Sequence, residues 1–263
     1  MNAASESLVD CKQHLDTTSS NDYLEIYELS LLFGATKVLD NVTLRVHEGE
    51  TVAILGESGC GKTSLLRIVA GLLVSTSGSV RLSGRSIDSL EASKRGIVYL
   101  DQDALMFEHL TVYENIAFAL RIAKRPSTEI DSKVQQMLRA VQLEDQATKR
   151  TWQLSGGQKQ RVAFARAILA SPRVLLLDEP FCSLDCRNRA IMQQLFLDLR
   201  QRYLITCLFV THDVKEAIVV GNRFATMSGG ILKQYPTSLA FVEDETTGAA
   251  AERAFWAEQG QIL

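Results

Sequence analysis

No apolar run in this 263-residue chain approaches the roughly 20 residues that cross a bilayer. The longest candidates, 69–74 and 204–210, fall well short, so any membrane role has to pass through a partner. An excess of one charge is missing too: net charge is −3 and the pI about 5.9, which leaves no electrostatic case for a nucleic-acid partner. The first twenty residues carry Lys12 as their only Lys or Arg and no apolar segment, which is not the pattern of a signal peptide. Five cysteines in a mid-sized chain without such a leader predict reduced thiols in a cytosolic setting. Internal repeats, low-complexity tracts and long linkers are absent as well.

What is present is alternation. Residues 1–21, rich in Ser, Thr, Asn and Asp, read as a disordered tail. Two strand-like segments follow, with Leu24 and Ile26 on one and Val42, Leu44 and Val46 on the other, and Gly34 in a turn between them. Thr51–Leu55 is a short apolar run ending at Gly56, and 62–73 has helical spacing. Further β-rich runs at 96–100, 174–177 and 205–210 are separated by helical patterns, which argues for a parallel sheet covered by helices. Between Asp103 and Leu154 the β-branched runs disappear. Helical periods over 111–123 and 128–141, broken at Pro126, predict an inserted helical subdomain at about 103–155. The tail from Gly230 holds a short strand and then a helical pattern over 248–261 that carries Ala254, Phe255 and Trp256.

Three motifs carry chemistry. Gly56-Glu57-Ser58-Gly59-Cys60-Gly61-Lys62-Thr63 fits G-x-x-x-x-G-K-[ST] between a strand and a helix, the context that a phosphate-cradling loop requires. Gly56, Gly59 and Gly61 are expected to supply positive φ and converging amides. Lys62 is expected to reach the terminal phosphates of a nucleotide, and the Thr63 hydroxyl to ligate Mg²⁺. The buried run Val174–Leu177 delivers Asp178 and Glu179 to the carboxyl edge of the sheet. By the same logic Asp178 serves the Mg²⁺ shell and Glu179 polarises an attacking water. Leu154-Ser155-Gly156-Gly157-Gln158 precedes a long helical pattern and reads as a second anion-binding helix start. One triphosphate has no obvious use for two such starts in a single domain.

In this order the three motifs resemble the ATP-binding cassette family, and the resemblance runs from about Tyr23 to Met227. It implies ATP and Mg²⁺ as ligands. The ATP site would comprise Phe33 against adenine, the loop Gly56, Glu57, Ser58, Gly59, Cys60, Gly61, Lys62 and Thr63, and Gln102, Ser155, Gly156, Gly157, Gln158 and Asp185. Thr63, Gln102 and Asp178 would hold the metal, with Glu179, His212 and Lys62 as the catalytic set. Head-to-tail packing with a second copy or a paralogous ATPase subunit would bring one chain's phosphate loop to the other's LSGGQ, which resolves the puzzle of the second start. The implied fold is α/β: a P-loop NTPase core with a parallel sheet over 22–229, an N-terminal antiparallel β subdomain, the helical insertion, and a short C-terminal extension from 230.

The resemblance further implies an ATP-hydrolysing subunit of an importer, peripheral on the cytoplasmic face of the membrane, working with permease subunits and a solute-binding protein. A soluble ATPase of the same class in DNA repair or regulation is the alternative. Long coiled-coil insertions would favour it, and 103–154 lacks sustained heptads. Three positions depart from the family's habits: Asp101 where an aromatic is common, and Glu108 and Glu57 where proline is frequent. The stretch Ala104-Leu105-Met106-Phe107 is expected to form an apolar surface patch for the permease. Cys182 and Cys186 lack the partners a zinc site needs and read as structural thiols.

Overall fold

The computed structural model describes residues 22–103 and 105–252. The predicted tail 1–21, Ala104 and the stretch from 253 onward, including Phe255 and Trp256, lie outside the described residues.

Strands β1 (Asp22–Phe33) and β2 (Thr36–His47) form an antiparallel hairpin in which Leu24, Ile26, Leu29 and Leu31 face Val42, Leu44 and Val46 in one buried layer. Next, β3 (Thr51–Leu55), buried throughout, runs through the glycine loop into α1 (Lys62–Ala70). This helix stops three residues before the predicted 73. Gly71 closes it at φ 81°, and the buried Arg95 guanidinium donates to the carbonyls of Ile68 and Val69, satisfying the last turn. Then β4 (Ser77–Leu82) and β5 (Arg85–Ser86) return to the first sheet, giving the antiparallel order β2-β1-β4-β5. Only Val80 and Leu82 of β4 are buried, too few apolar positions in a Ser/Gly-rich stretch to announce a strand.

After β6 (Ile97–Leu100) come α2 (Val112–Ile122), α3 (Ser127–Ala140) and α4 (Gly156–Leu169). Thr111 and Glu114 close a capping box on α2, and Val112, Ile116, Val134, Met137 and Leu138 pack with Val162 and Phe164 of α4 in one cluster. The remainder is β7 (Val174–Asp178), α5 (Cys186–Tyr203), β8 (Cys207–Thr211), α6 (Val214–Val220), β9 (Arg223–Ser228), β10 (Ile231–Tyr235) and α7 (Ser238–Glu243).

The second sheet has the order β10-β9-β3-β8-β7-β6. Every pairing in it is parallel except β10 with β9. Alternation along β7 assigns its two faces. Leu175 and Leu177 join the cluster under α2 and α4, whereas Val174 and Leu176 join the layer under α1. Asp178 is next in step with Leu176, so its side chain falls on the face of α1. The register also matters: Leu55 pairs with Thr211, and Val210 with Asp178. The residues after each strand, Gly56, His212 and Glu179, therefore emerge side by side at one carboxyl edge. Among the described residues no helix is long and apolar enough to cross a membrane.

Candidate functional site

Gly59 (φ 83°) and Gly61 (φ 111°) adopt backbone that other residues resist, and a Cβ at Gly61 would lie 2.7 Å from the Val38 carbonyl oxygen. Gly56 differs from the expectation: its φ is not positive. Its constraint is space, since a Cβ there would meet the Met227 carbonyl oxygen at 2.4 Å. The loop wraps Lys62, whose side chain is 4% exposed, with Nζ donating to Gly56 O (2.7 Å) and Glu57 O (2.9 Å). Glu179 Oε1 lies 3.7 Å from the same ammonium.

Ser58, Gly59, Gly61, Lys62, Thr63, Gln102 and Glu179 line a cleft of about 370 Å³. Glu179 enters it because β7 ends abruptly: this residue takes φ 46°, uncommon for a side-chain-bearing residue, while its amide still bonds Val210 O. Its other oxygen, Oε2, lies 2.8 Å from His212 Nδ1. His212 itself sits between two anchored neighbours. Thr211 donates to the buried Glu216, and Asp213 caps α6 while pairing with Arg189 of α5.

Asp178 stands behind the cleft, 3% exposed. Burial raises its carboxyl pKa, opposed by hydrogen bonds from Tyr99 and Thr63. Thr63, Asp178 and Gln102 thus offer oxygen donors around one corner of the cleft. That set, with a single carboxylate, suits Mg²⁺, which is usually bound through one or two carboxylates and leaves several positions to water and phosphate oxygens. Among the described residues no cluster of three or more His, Cys, Asp and Glu could hold a metal by itself. Cys60 and Cys182 are part-buried free thiols, and Cys186 is an exposed one.

Three predicted elements lie apart from the cleft. Phe33 ends β1 at 55% exposure. Ser155 caps α4 in a box with Gln158, and Gly156 begins the helix in the open, with nothing within 4 Å of a Cβ built on it. Gly157 faces Asn188 of α5, whose amides are held by Asp185. The α4 start and Asp185 thus meet at Asn188, and neither is among the residues that line the cleft.

The apolar stretch beside Gln102 is less exposed than predicted. Leu105 is 69% exposed, but Met106 packs against the core and the half-buried Phe107 lies tilted against Phe118 (4.3 Å between centroids) with the Arg166 guanidinium over its ring. The buried Asn115 binds both the amide and the carbonyl of Phe107, which fixes the backbone there. Arg166, Tyr99 and Arg189 carry no motif. Only their positions in the fold reveal them.

Residues 39–182 match the family described as ABC transporter. The chain is 44% identical over 220 residues to the spermidine/putrescine import ATP-binding protein PotA of Legionella pneumophila, covering 84% of this chain and 60% of that protein. It is 44% identical to the protein of the same description from Thermotoga maritima, over 87% of this chain and 62% of that one. To the sulfate/thiosulfate import ATP-binding protein CysA of Pectobacterium atrosepticum it is 41% identical, over 81% and 66%. The chain thus spans about 60% of the length of the curated relatives it matches.

Proposed function

The chain belongs to the ABC transporter family, and from that membership we propose that it is the ATP-binding and ATP-hydrolysing subunit of an importer. The observation that carries the proposal is the cleft in which Lys62, Thr63, Gln102 and Glu179 converge, with His212 on Glu179. In this reading the loop amides and Lys62 hold the β- and γ-phosphates, and Phe33 stacks on adenine. Bound Mg²⁺ supplies charge neutralisation across the phosphates, held by Thr63 and Asp178 with Gln102. Glu179 takes a proton from the attacking water while His212 orients that carboxylate and contacts the γ-phosphate.

Head-to-tail pairing with a second copy or a paralogue would bring the exposed start of α4 to the nucleotide, with Asp185 beside it. The open space at Gly156 supports this, because among the described residues nothing crowds that position. A permease subunit would dock beside Gln102, where Leu105 is exposed, on the cytoplasmic face of the membrane, and a solute-binding protein would complete the importer. Relatives of nearly equal identity are named for polyamines and for sulfate, so the solute is a property of the other subunits.

Thermal unfolding tests the nucleotide site. Mg-ATP at about 100 times its Kd should stabilise the protein by about 2.7 kcal/mol through mass action. Lys62→Ala should lose most of that shift. An unchanged shift in the variant would mean that the phosphates bind elsewhere.

A further inference from the structure

Asp178 has two carboxylate oxygens and a broad final torsion, so something must fix where they point. The motif does not supply that group; the neighbouring strand does. Tyr99 of β6 pairs with Leu176 of β7, two residues before Asp178 and on the same face, a diagonal within reach of a long side chain. Its hydroxyl donates to Asp178 Oδ2 at 2.8 Å. A phenylalanine would fill the same half-buried space, so the hydroxyl is the feature to be explained.

The contact continues outward. The Arg67 guanidinium of α1 lies beside the Tyr99 hydroxyl, lining the same groove, and 3.8 Å from Asp101 Oδ2. The other oxygen of Asp101, Oδ1, accepts the Gln102 amide at 2.8 Å. The network thus begins at one candidate Mg²⁺ ligand, Asp178, and ends at the backbone of another, Gln102. Arg67, Tyr99 and Asp101 also line a groove of about 430 Å³ with Leu105 and Arg166. Asp101, the departure from the family's habitual aromatic, acquires a role here as the acceptor that joins Arg67 to Gln102.

We propose that Tyr99 is a positioning residue that aims Asp178 at Mg²⁺, and that Arg67 and Asp101 make the aim of Asp178 and the placement of Gln102 one coupled arrangement. The proposal rests on the nucleotide reading of the cleft. A cation beside the phenol polarises its O–H and strengthens its bond to the carboxylate. Groups that orient a ligand in this way commonly matter nearly as much as the ligand.

Equilibrium binding of a fluorescent ATP analogue to the purified chain, in EDTA and across a Mg²⁺ titration, separates the two ideas. In Tyr99→Phe the Mg²⁺ concentration needed for half-maximal tightening should rise on the order of tenfold, with affinity in EDTA unchanged. Arg67→Met should shift the titration in the same direction by less, and add nothing in the Tyr99→Phe background, the mark of a shared path. An unmoved titration in Tyr99→Phe overturns the proposal, and additive effects overturn the Arg67 arm. Should Tyr99→Phe fail to fold, the half-exposed Arg67 still decides: no Mg²⁺ shift in Arg67→Met overturns the coupling. Wild-type protein that binds no nucleotide in either condition defeats the nucleotide reading itself, and this inference with it.

Discussion

The starts of α1 and α4 are both glycine-flanked helix N-termini suited to anions, yet they are built in opposite ways. At α1 no side chain caps the helix, and the preceding glycines are forced by the fold, through φ 111° at Gly61 and the Val38 carbonyl 2.7 Å from its missing Cβ. The free amides there line a cleft shared with a buried lysine and a carboxylate. At α4 the cap is complete, with Ser155 and Gln158 exchanging bonds, and Gly156 faces open space. On the proposed reading, a glycine that the described residues leave uncrowded leaves room for a partner's nucleotide. By the same reading the first start is a site within one chain, and the second is half of a site that a partner would complete.

The largest test of that asymmetry is Glu179→Gln. Removing the general base should lower ATP turnover by about 10²–10⁴-fold while nucleotide binding persists. With hydrolysis blocked, the exposed α4 start should be covered, so ATP should drive the variant, or the variant with its paralogue, into a dimer visible by light scattering. Wild-type turnover would remove Glu179 from its role, and a strictly monomeric, ATP-loaded variant would remove the partner from α4.

Alanine at the two glycines separates fold from function more finely. Gly61→Ala should destabilise the nucleotide-free protein by about 1–3 kcal/mol, because a Cβ is strained at that φ and collides with backbone. Gly156→Ala should leave the nucleotide-free melting point unchanged or higher, alanine being the better helix former by up to about 1 kcal/mol, yet weaken ATP-driven association. Equal destabilisation at both positions would erase the contrast. The smallest effect belongs to Ser155→Ala, where the lost cap should cost about 1 kcal/mol, read as a lower melting point without nucleotide. No change there would mean that the cap serves the partner alone.

Much of this was legible in the chain. The strand–loop–helix at 51–70 declares itself through a buried pentapeptide, three glycines and a helical period, all local signals. So does β7, whose apolar run ends in two carboxylates. The errors were where local signals are thin or shared. Gly56 was read as a positive-φ position because glycine permits one, whereas contact with Met227, 171 residues away in sequence, is the real constraint. The stretch 105–107 shows apolar residues without pattern, and only the fold divides them, leaving Leu105 exposed while Asn115 and Arg166 hold Phe107 half-buried.

The sequence by itself determined the local chemistry: which residues bear the charges, where the backbone can bend past ordinary limits, and which helix starts are capped. Those properties depend on side-chain type and on neighbours within a few residues. Only the tertiary structure decided which of these groups meet. Strand order and register bring Gly56, Glu179 and His212 to one edge, turn Asp178 toward α1, and lay Tyr99 across it. Such meetings are set by pairing between strands far apart in sequence, where a shift of one residue would send each side chain to the opposite face.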